Sequence, residues 1–497
     1  GIGTYVKAKT ETNFDAGDPN NDNLRVNAEE LRARIIGEGG NLGFTQNGRI
    51  EYAMNGGRMN TDAIDNSGGV DMSDHEVNIK VLLNPLVASG VLSWDERNVL
   101  LESMTETVAQ DVLHNSNVHG RQLSLDKVRS EIDPLSFSIA IQWVCTRSKT
   151  TRTFLRLPSD EELQRRQSMG QGLTRPELAV LAAHVKMHIF KELLASDTSI
   201  IADFNHRVTT YFPEKIQQKY QAEIDAHLLY PSIGMTMLLN EIIGDAGALL
   251  FPLLNDITGA KAIDIAYAWL AALDTIGAPD LLKEMSGLGL HAQYHAWTAC
   301  TKPLFTLLPI WLFAESTPNA QERERIRNVL KALPKSVSAS QKDRVKKSIA
   351  GLKAKNIPES LAAKIIALDD ISFANEIAQL SGDIKTNIVS YYAVGEASLF
   401  IPTIRLLENR KALGGWDPAA NAILRSRFLY FLQQLLQSID LGAEATLGID
   451  RAVLRLKLNH LNELNAEMEN IITETTDISA IVVANSRAQS HIRKVKN

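Results

Sequence analysis

Residues 37–76 read GEGGNLGFTQNGRIEYAMNGGRMNTDAIDNSGGVDMSDHE and hold nine of the chain's 30 glycines in 40 positions, with Asn41, Asn55, Asn60 and Asn66 among them. No later stretch is as dense in residues that let a backbone come close to a ligand. Immediately upstream, Leu31 to Ile36 alternates as a short strand does. Gly37–Asn41 is therefore a strand end opening into a glycine turn, the device by which α/β proteins bring main-chain N–H groups to a cofactor. The dinucleotide fingerprint G-x-G-x-x-G is not complete, because Gly37 and Gly39 require glycine at position 42, which is Leu42. An ordinary strand-to-turn junction fits the spacing equally well.

Working outward, Ser73-Asp74-His75-Glu76 spells S-x-x-E, a capping box that predicts Ser73 as the N-cap of a helix ending near Leu83, short of Pro85. The helix dipole accounts for the acidic residues there without a metal. The same spelling recurs at Ser93–Glu96, and Ser159 and Thr174 stand as further N-caps, Thr174 with Pro176 in the first turn behind it. Leu100, Met104, Val108 and Val112 form one apolar stripe, and Leu178, Leu181, Val185 and Ile189 another. Pro213 opens a further helix that Pro231 is expected to break. Leu304–Phe313, the most apolar run, has ten residues; a membrane span needs roughly 20, so a buried helix is expected. Gln321–Lys355 carries eleven Lys/Arg against three acidic residues and reads as two helices joined by a loop at Pro334, a basic linker. Helical patterning resumes after 358, with a turn at Gly414-Gly415-Trp416, an amphipathic Leu424–Leu436, an apolar face over Arg451–Ile472 and a basic tail, Arg487–Lys496. The chain divides on these grounds into 1–83, 84–320, 321–357 and 358–497.

Composition narrows the function. A net charge of −6 gives no global attraction to nucleic acid or an acidic membrane, and the basic stretch lacks interleaved aromatics for base stacking. Two distant cysteines, Cys145 and Cys300, exclude a disulfide scaffold and fit a reducing cytoplasm. His184/His188 and His291/His295 are each four apart, but neither pair has the H-E-x-x-H carboxylate of a metalloprotease, so no metal is expected.

GIGTYVKA (1–8), GEGGNLG (37–43), GRIEY (48–52), NTDAIDN (60–66), DMSDHEVNIK (71–80), GLTRPELAV (172–180) and Tyr211-Phe212-Pro213 together resemble the large class of bacterial NAD-specific glutamate dehydrogenase. That resemblance implies a mainly α chain: an incomplete Rossmann-like α/β segment at the N-terminus, then a large helical region. It implies NAD as cofactor and L-glutamate and 2-oxoglutarate as substrates, a homo-oligomer, and the rest of the same polypeptide as a partner. Asn41 would hold the ribose or nicotinamide side of NAD, and Asn66 the nicotinamide carboxamide. Gly68 and Gly69 would permit close approach, and Ser73 would bind the substrate's distal carboxylate. The family's acid–base lysine and aspartate, and its pyrophosphate-binding turn, fall upstream of Gly1, so no catalytic residue is assigned in this chain and a piece of a longer polypeptide is expected.

Two other readings are open: a helical regulatory or oligomerisation module without a catalytic role, and an all-α scaffold whose glycine-rich start is incidental. Asn41, Asn66 and Ser73 lying on separate surfaces would favour the second. The isolated 497-residue chain is expected to give no glutamate-dependent NADH formation at high protein concentration; robust turnover would overturn the fragment reading.

Overall fold

The computed structural model describes residues 3–201, 203–333, 339–409 and 417–438, with 469, 481–486 and 488. It is mainly helical and separates into two compact units, Gly1–Leu253 and Leu254–Asn497. The turn at 414–416, the 451–472 helix and the tail at 487–496 lie wholly or almost wholly outside the described residues, as does the loop around Pro334.

In the first unit the β-friendly start forms β1 (Val6–Lys7), paired in parallel with β2 (Val26–Asn27), and Val6 also bridges Phe44 in parallel. Tyr5 and Val6 donate their N–H groups to the Gly43 carbonyl, and Thr45 donates back to the Val6 carbonyl at 2.9 Å. A second parallel contact joins Ile35 to Arg58. There Ile36 donates to the Arg58 carbonyl at 2.9 Å and Arg58 to that of Arg34 at 3.1 Å. Parallel partners need a crossover, and here it carries helix α1 (Gln46–Met54), capped by the Thr45 hydroxyl accepting from the Gly48 N–H. Leu31–Ile36 is thus paired at one bridge, at Ile35, rather than along a full strand. Val6, Ala28, Phe44, Tyr52 and Met59 form the core beneath these segments.

A one-turn helix, α2 (Asp62–Asp65), leads into α3 (Ser67–Ala88). The expected cap at Ser73 is overturned. The helix starts six residues earlier behind Asn66, so Ser73 is an exposed residue within it, and Glu76 pairs with Lys80 one turn on instead of reaching back. Glycines at 68 and 69 disguised the first turn, since their low helix propensity argues against a helix there. Nor does Pro85 end the helix, which continues to Ala88. Burial of His75, Asn78, Ile79, Leu82 and Leu83 fixes this element; packing of one face outweighs local propensity.

The long helix α4 (Thr105–Ile132) is the centre of the unit, with α3, α5 (Arg175–Leu194) and α6 (Tyr230–Ala246) packed on it, while α5 also packs on α1 and α6. Val108, Val112, Leu178, Leu181, Val185 and Ile189 are buried as their spacing requires. Capping boxes are present at Ser93 and Thr174, and Ser159 caps its helix. After Pro213 the helix breaks at Tyr220, into Glu214–Lys219 and Gln221–Asp225; Pro231 instead sits in the first turn of α6, where its missing N–H costs nothing.

The cap of α5 is unusually well held. Glu177 accepts from the Thr174 N–H at 2.7 Å and receives both Nη groups of Arg166, at 2.7 and 2.9 Å, with both charged side chains buried. Just upstream, a Cβ on Gly172 would come within 2.5 Å of the Ser130 main chain, so only glycine lets this loop lie against α4.

In the second unit, α7 (Leu304–Phe313) is the buried apolar helix expected from its length, and no single helix among the described residues is long and apolar enough to cross a membrane. It packs with α8 (Ala320–Ala332) and α10 (Asp417–Ser438) around α9 (Ile371–Ala378), every residue of which is buried. The basic stretch supplies α8 and the helix Ala339–Lys353. Several of its cations are partnered: Arg323 and Arg327 with Asp274, Arg344 with Asp370, Lys353 with Glu359.

Replacing Glu177 by Ala is expected to destabilise the protein by about 3 kcal/mol in urea titration, because it removes the cap and deprives a buried guanidinium of its bidentate partner. A loss below about 1 kcal/mol would show that Glu162, the other carboxylate on Arg166, suffices alone.

Candidate functional site

The glycine turn is held in place by carboxylates. Glu38 is buried and accepts from Arg49 of α1 through Nε at 2.6 Å and Nη2 at 2.9 Å, and from the Phe44 N–H at 3.2 Å. Arg49 also reaches Asp62 at 3.1 Å. From α2, Asp65 accepts the Glu38 N–H at 3.0 Å and Asp62 the Leu42 N–H at 2.9 Å. Leu42 itself has φ +65°, the left-handed region that glycine adopts most easily. The fingerprint position thus keeps the glycine-like conformation although its residue is leucine.

This clamp brings Asn41 to the start of α3. Asn66, the residue before that helix, donates through Nδ2 to Asn41 Oδ1 at 3.0 Å. The bond leaves Asn66 Oδ1 and Asn41 Nδ2, one acceptor and one donor, with no other hydrogen bond among the described residues. The two glycines differ in surroundings. A Cβ on Gly68 would meet Val112 and Ser116 of α4 at 3.6 and 3.8 Å, whereas one on Gly69 would meet only Asn66 Oδ1, at 3.4 Å. Gly68 faces the helical core and Gly69 the asparagine pair. Residues 66, 69 and 73 are spaced three and four apart and so share a face of the helix, along which Gly69 and Ser73 are exposed. In the first turn of α3 the Gly69 N–H donates to the Asn66 carbonyl at 3.2 Å, and the helix dipole favours an anion at that end.

Two family profiles match the sequence: "Bacterial NAD-glutamate dehydrogenase, catalytic domain" over residues 1–126, and "Glutamate dehydrogenase, C-terminal" over 170–486. The chain belongs to the bacterial NAD-specific glutamate dehydrogenase family. It is 37% identical over 374 residues to an NAD-specific glutamate dehydrogenase of Mycobacterium tuberculosis, covering 73% of this chain and 23% of that protein. It is 40% identical over 288 residues to one from Pseudomonas aeruginosa (58% and 18%), and 33% over 439 to one from Halomonas elongata (86% and 27%). The chain thus spans only 18–27% of the length of these relatives.

The catalytic-domain match ends within α4, so α3 lies in the region it covers and docks on the helical core. His75 makes that contact. Its ring is 2% exposed and stacks on Tyr211 at 4.3 Å between centroids, 10° from parallel; neither nitrogen has a hydrogen bond. Its nearest charge is Asp71, 3.8 Å away, which accepts from Asn115 of α4 at 2.9 Å. Burial lowers the His75 pKa, opposed by Asp71, Asp111 and Asp74. Burial likewise pushes the Tyr211 hydroxyl up to about 12, against the hydrogen bond it accepts from Asn78. Sequence inspection singled out Asn41, Asn66, Gly68, Gly69 and Ser73 but not Glu38, Arg49, Asp62 and Asp65, which hold the glycine turn. Glu38 lay in plain view between glycines; nothing local tied it to Arg49.

Because the folded chain keeps His75 neutral, the unfolded chain binds its proton first on acidification. The stability His75 contributes is therefore present above pH 6.5 and falls as pH drops below it, by at most about 1.4 kcal/mol per pH unit. His75→Phe, which keeps the stack on Tyr211, is expected to have a flatter stability profile between pH 6.5 and 5 than the parent. Parallel profiles would exclude His75 as a contributor.

Proposed function

We propose that this chain supplies the nicotinamide-side wall and substrate-carboxylate contact of an NAD-dependent glutamate dehydrogenase, as the closing part of a Rossmann-like domain followed by a helical extension. The observation that carries the reading is the Asn66–Asn41 hydrogen bond at the start of α3. It leaves Asn66 Oδ1, which lies beside Gly69, as an acceptor and Asn41 Nδ2 as a donor, and a nicotinamide carboxamide presents the complementary pair. Parallel pairing throughout the small β region, with the glycine turn and the loop to Asn66 following two parallel-paired segments, supports the Rossmann-like reading.

NAD supplies the hydride acceptor. The overall reaction converts L-glutamate, NAD⁺ and water into 2-oxoglutarate, ammonium, NADH and a proton. The hydride leaves the glutamate α-carbon, and the resulting 2-iminoglutarate takes up water and loses ammonia. The residues of this chain orient the reactants. Asn41 and Asn66 fix the carboxamide and hence which face of the ring meets the substrate. Ser73, about two helical turns beyond Asn66 and exposed, donates its hydroxyl to the distal carboxylate. Gly69 keeps the intervening surface free of a side chain. The family's acid–base lysine and aspartate, and its pyrophosphate turn, are assigned to no residue of this chain.

In the complete polypeptide, Asn66→Ala is expected to raise KM for NAD about tenfold, the worth of one lost hydrogen bond. Ser73→Ala should raise KM for glutamate while leaving that for NAD near its parent value. If both substitutions leave both constants unchanged, the assignment fails.

A further inference from the structure

The family match that covers the helical region begins at residue 170, beyond the catalytic-domain match, yet one residue from it reaches the loops of the candidate cofactor site. Arg175, the first residue of α5, donates from Nε to Asn60 Oδ1 at 2.7 Å. Its Nη1 donates to the Ser124 hydroxyl at 2.8 Å and its Nη2 to the Gly120 carbonyl at 3.1 Å, both on α4. Asn60 in turn donates from Nδ2 to Asp65 Oδ1 at 2.7 Å, and the other oxygen of Asp65 accepts the Glu38 N–H at 3.0 Å. Five hydrogen bonds therefore run from two core helices, through one guanidinium, to the main chain of the glycine turn that presents Asn41.

The geometry points to Arg175 as a positioning residue for NAD: it fixes the register of the 60–66 loop against the glycine turn, and so the meeting of Asn41 with Asn66. This rests on the reading of that pair as the carboxamide contact. Three features suit Arg175 to the task. Its backbone is immobilised by the Thr174–Glu177 cap and the buried Arg166 pair. Its guanidinium has a planar fork of donors, which a lysine cannot reproduce at three acceptors at once. Its acceptors lie on both sides of the boundary between the glycine-rich segment and the helical core. A second tie runs beside it, where Gln46 of α1 donates from Nε2 to the Pro176 carbonyl at 3.1 Å. The helical region is thus a part of the cofactor site's scaffold as well as an appendage to it.

The experiment is a double-mutant cycle in the complete polypeptide. Arg175→Ala and Asn60→Ala are each expected to raise KM for NAD about tenfold, with kcat and KM for glutamate within about twofold of the parent. The double variant should be no worse than either single one, because both break the same chain of bonds. Arg175→Lys should recover part of the loss. A merely structural role would instead lower thermal stability and the yield of active enzyme at unchanged KM for NAD. That result, or fully additive single effects, would overturn the inference. Asn66→Ala measured alongside separates the two levels. If it raises KM for NAD and Arg175→Ala does not, only the positioning role fails. If neither does, the assignment of the site itself falls.

Discussion

The buried pair of Glu38 and Arg49 is the constraint on which the N-terminal unit depends. A carboxylate in the middle of a glycine turn costs several kcal/mol to desolvate unless it is fully bonded. Glu38 meets that condition with two guanidinium N–H groups and a main-chain N–H. The pair therefore dictates where α1 sits beneath the turn. It also lets a loop of small residues hold one shape, which glycine alone would not do. Asp62 and Asp65 extend the clamp to the next loop, and the asparagine pair follows from their placement.

Much of the helical architecture was legible because its signals are local. A Ser or Thr with an acidic residue three positions on encodes a cap within one turn, and the boxes at Ser93 and Thr174 formed as spelled. The same spelling at Ser73 misled, since S-x-x-E also occurs inside a helix that has already begun. Gly68 and Gly69 hid that beginning, and what overrode their propensity was packing of His75, Ile79 and Leu82 on elements far away in sequence. Pro85 misled for a similar reason: one lost hydrogen bond does not end a helix with a well-buried face.

The site was legible as a set of residue types and not as a geometry. Asn41 and Asn66 are 25 positions apart and nothing local pairs them. Their hydrogen bond places these two side chains together. The supporting contacts are longer still, from Glu38 to Arg49 across 11 positions and from Asn60 to Arg175 across 115. Such bonds emerge only from the assembled fold. Leu42 is the instructive case: the missing glycine reads as a failed motif, while the backbone there still takes the left-handed turn, at a cost of roughly 1–2 kcal/mol for a side-chain-bearing residue.

The 115-residue span between Asn60 and Arg175 has a consequence for how the protein is made. On a ribosome the glycine-rich segment emerges well before the arginine that ties down its loop. At 5–20 residues per second the wait is on the order of ten seconds. During that interval the asparagine loop lacks its tether and α3 lacks Tyr211, the ring on which His75 stacks. The asparagine loop and α3 therefore gain these two contacts only after Arg175 and Tyr211 have been synthesised.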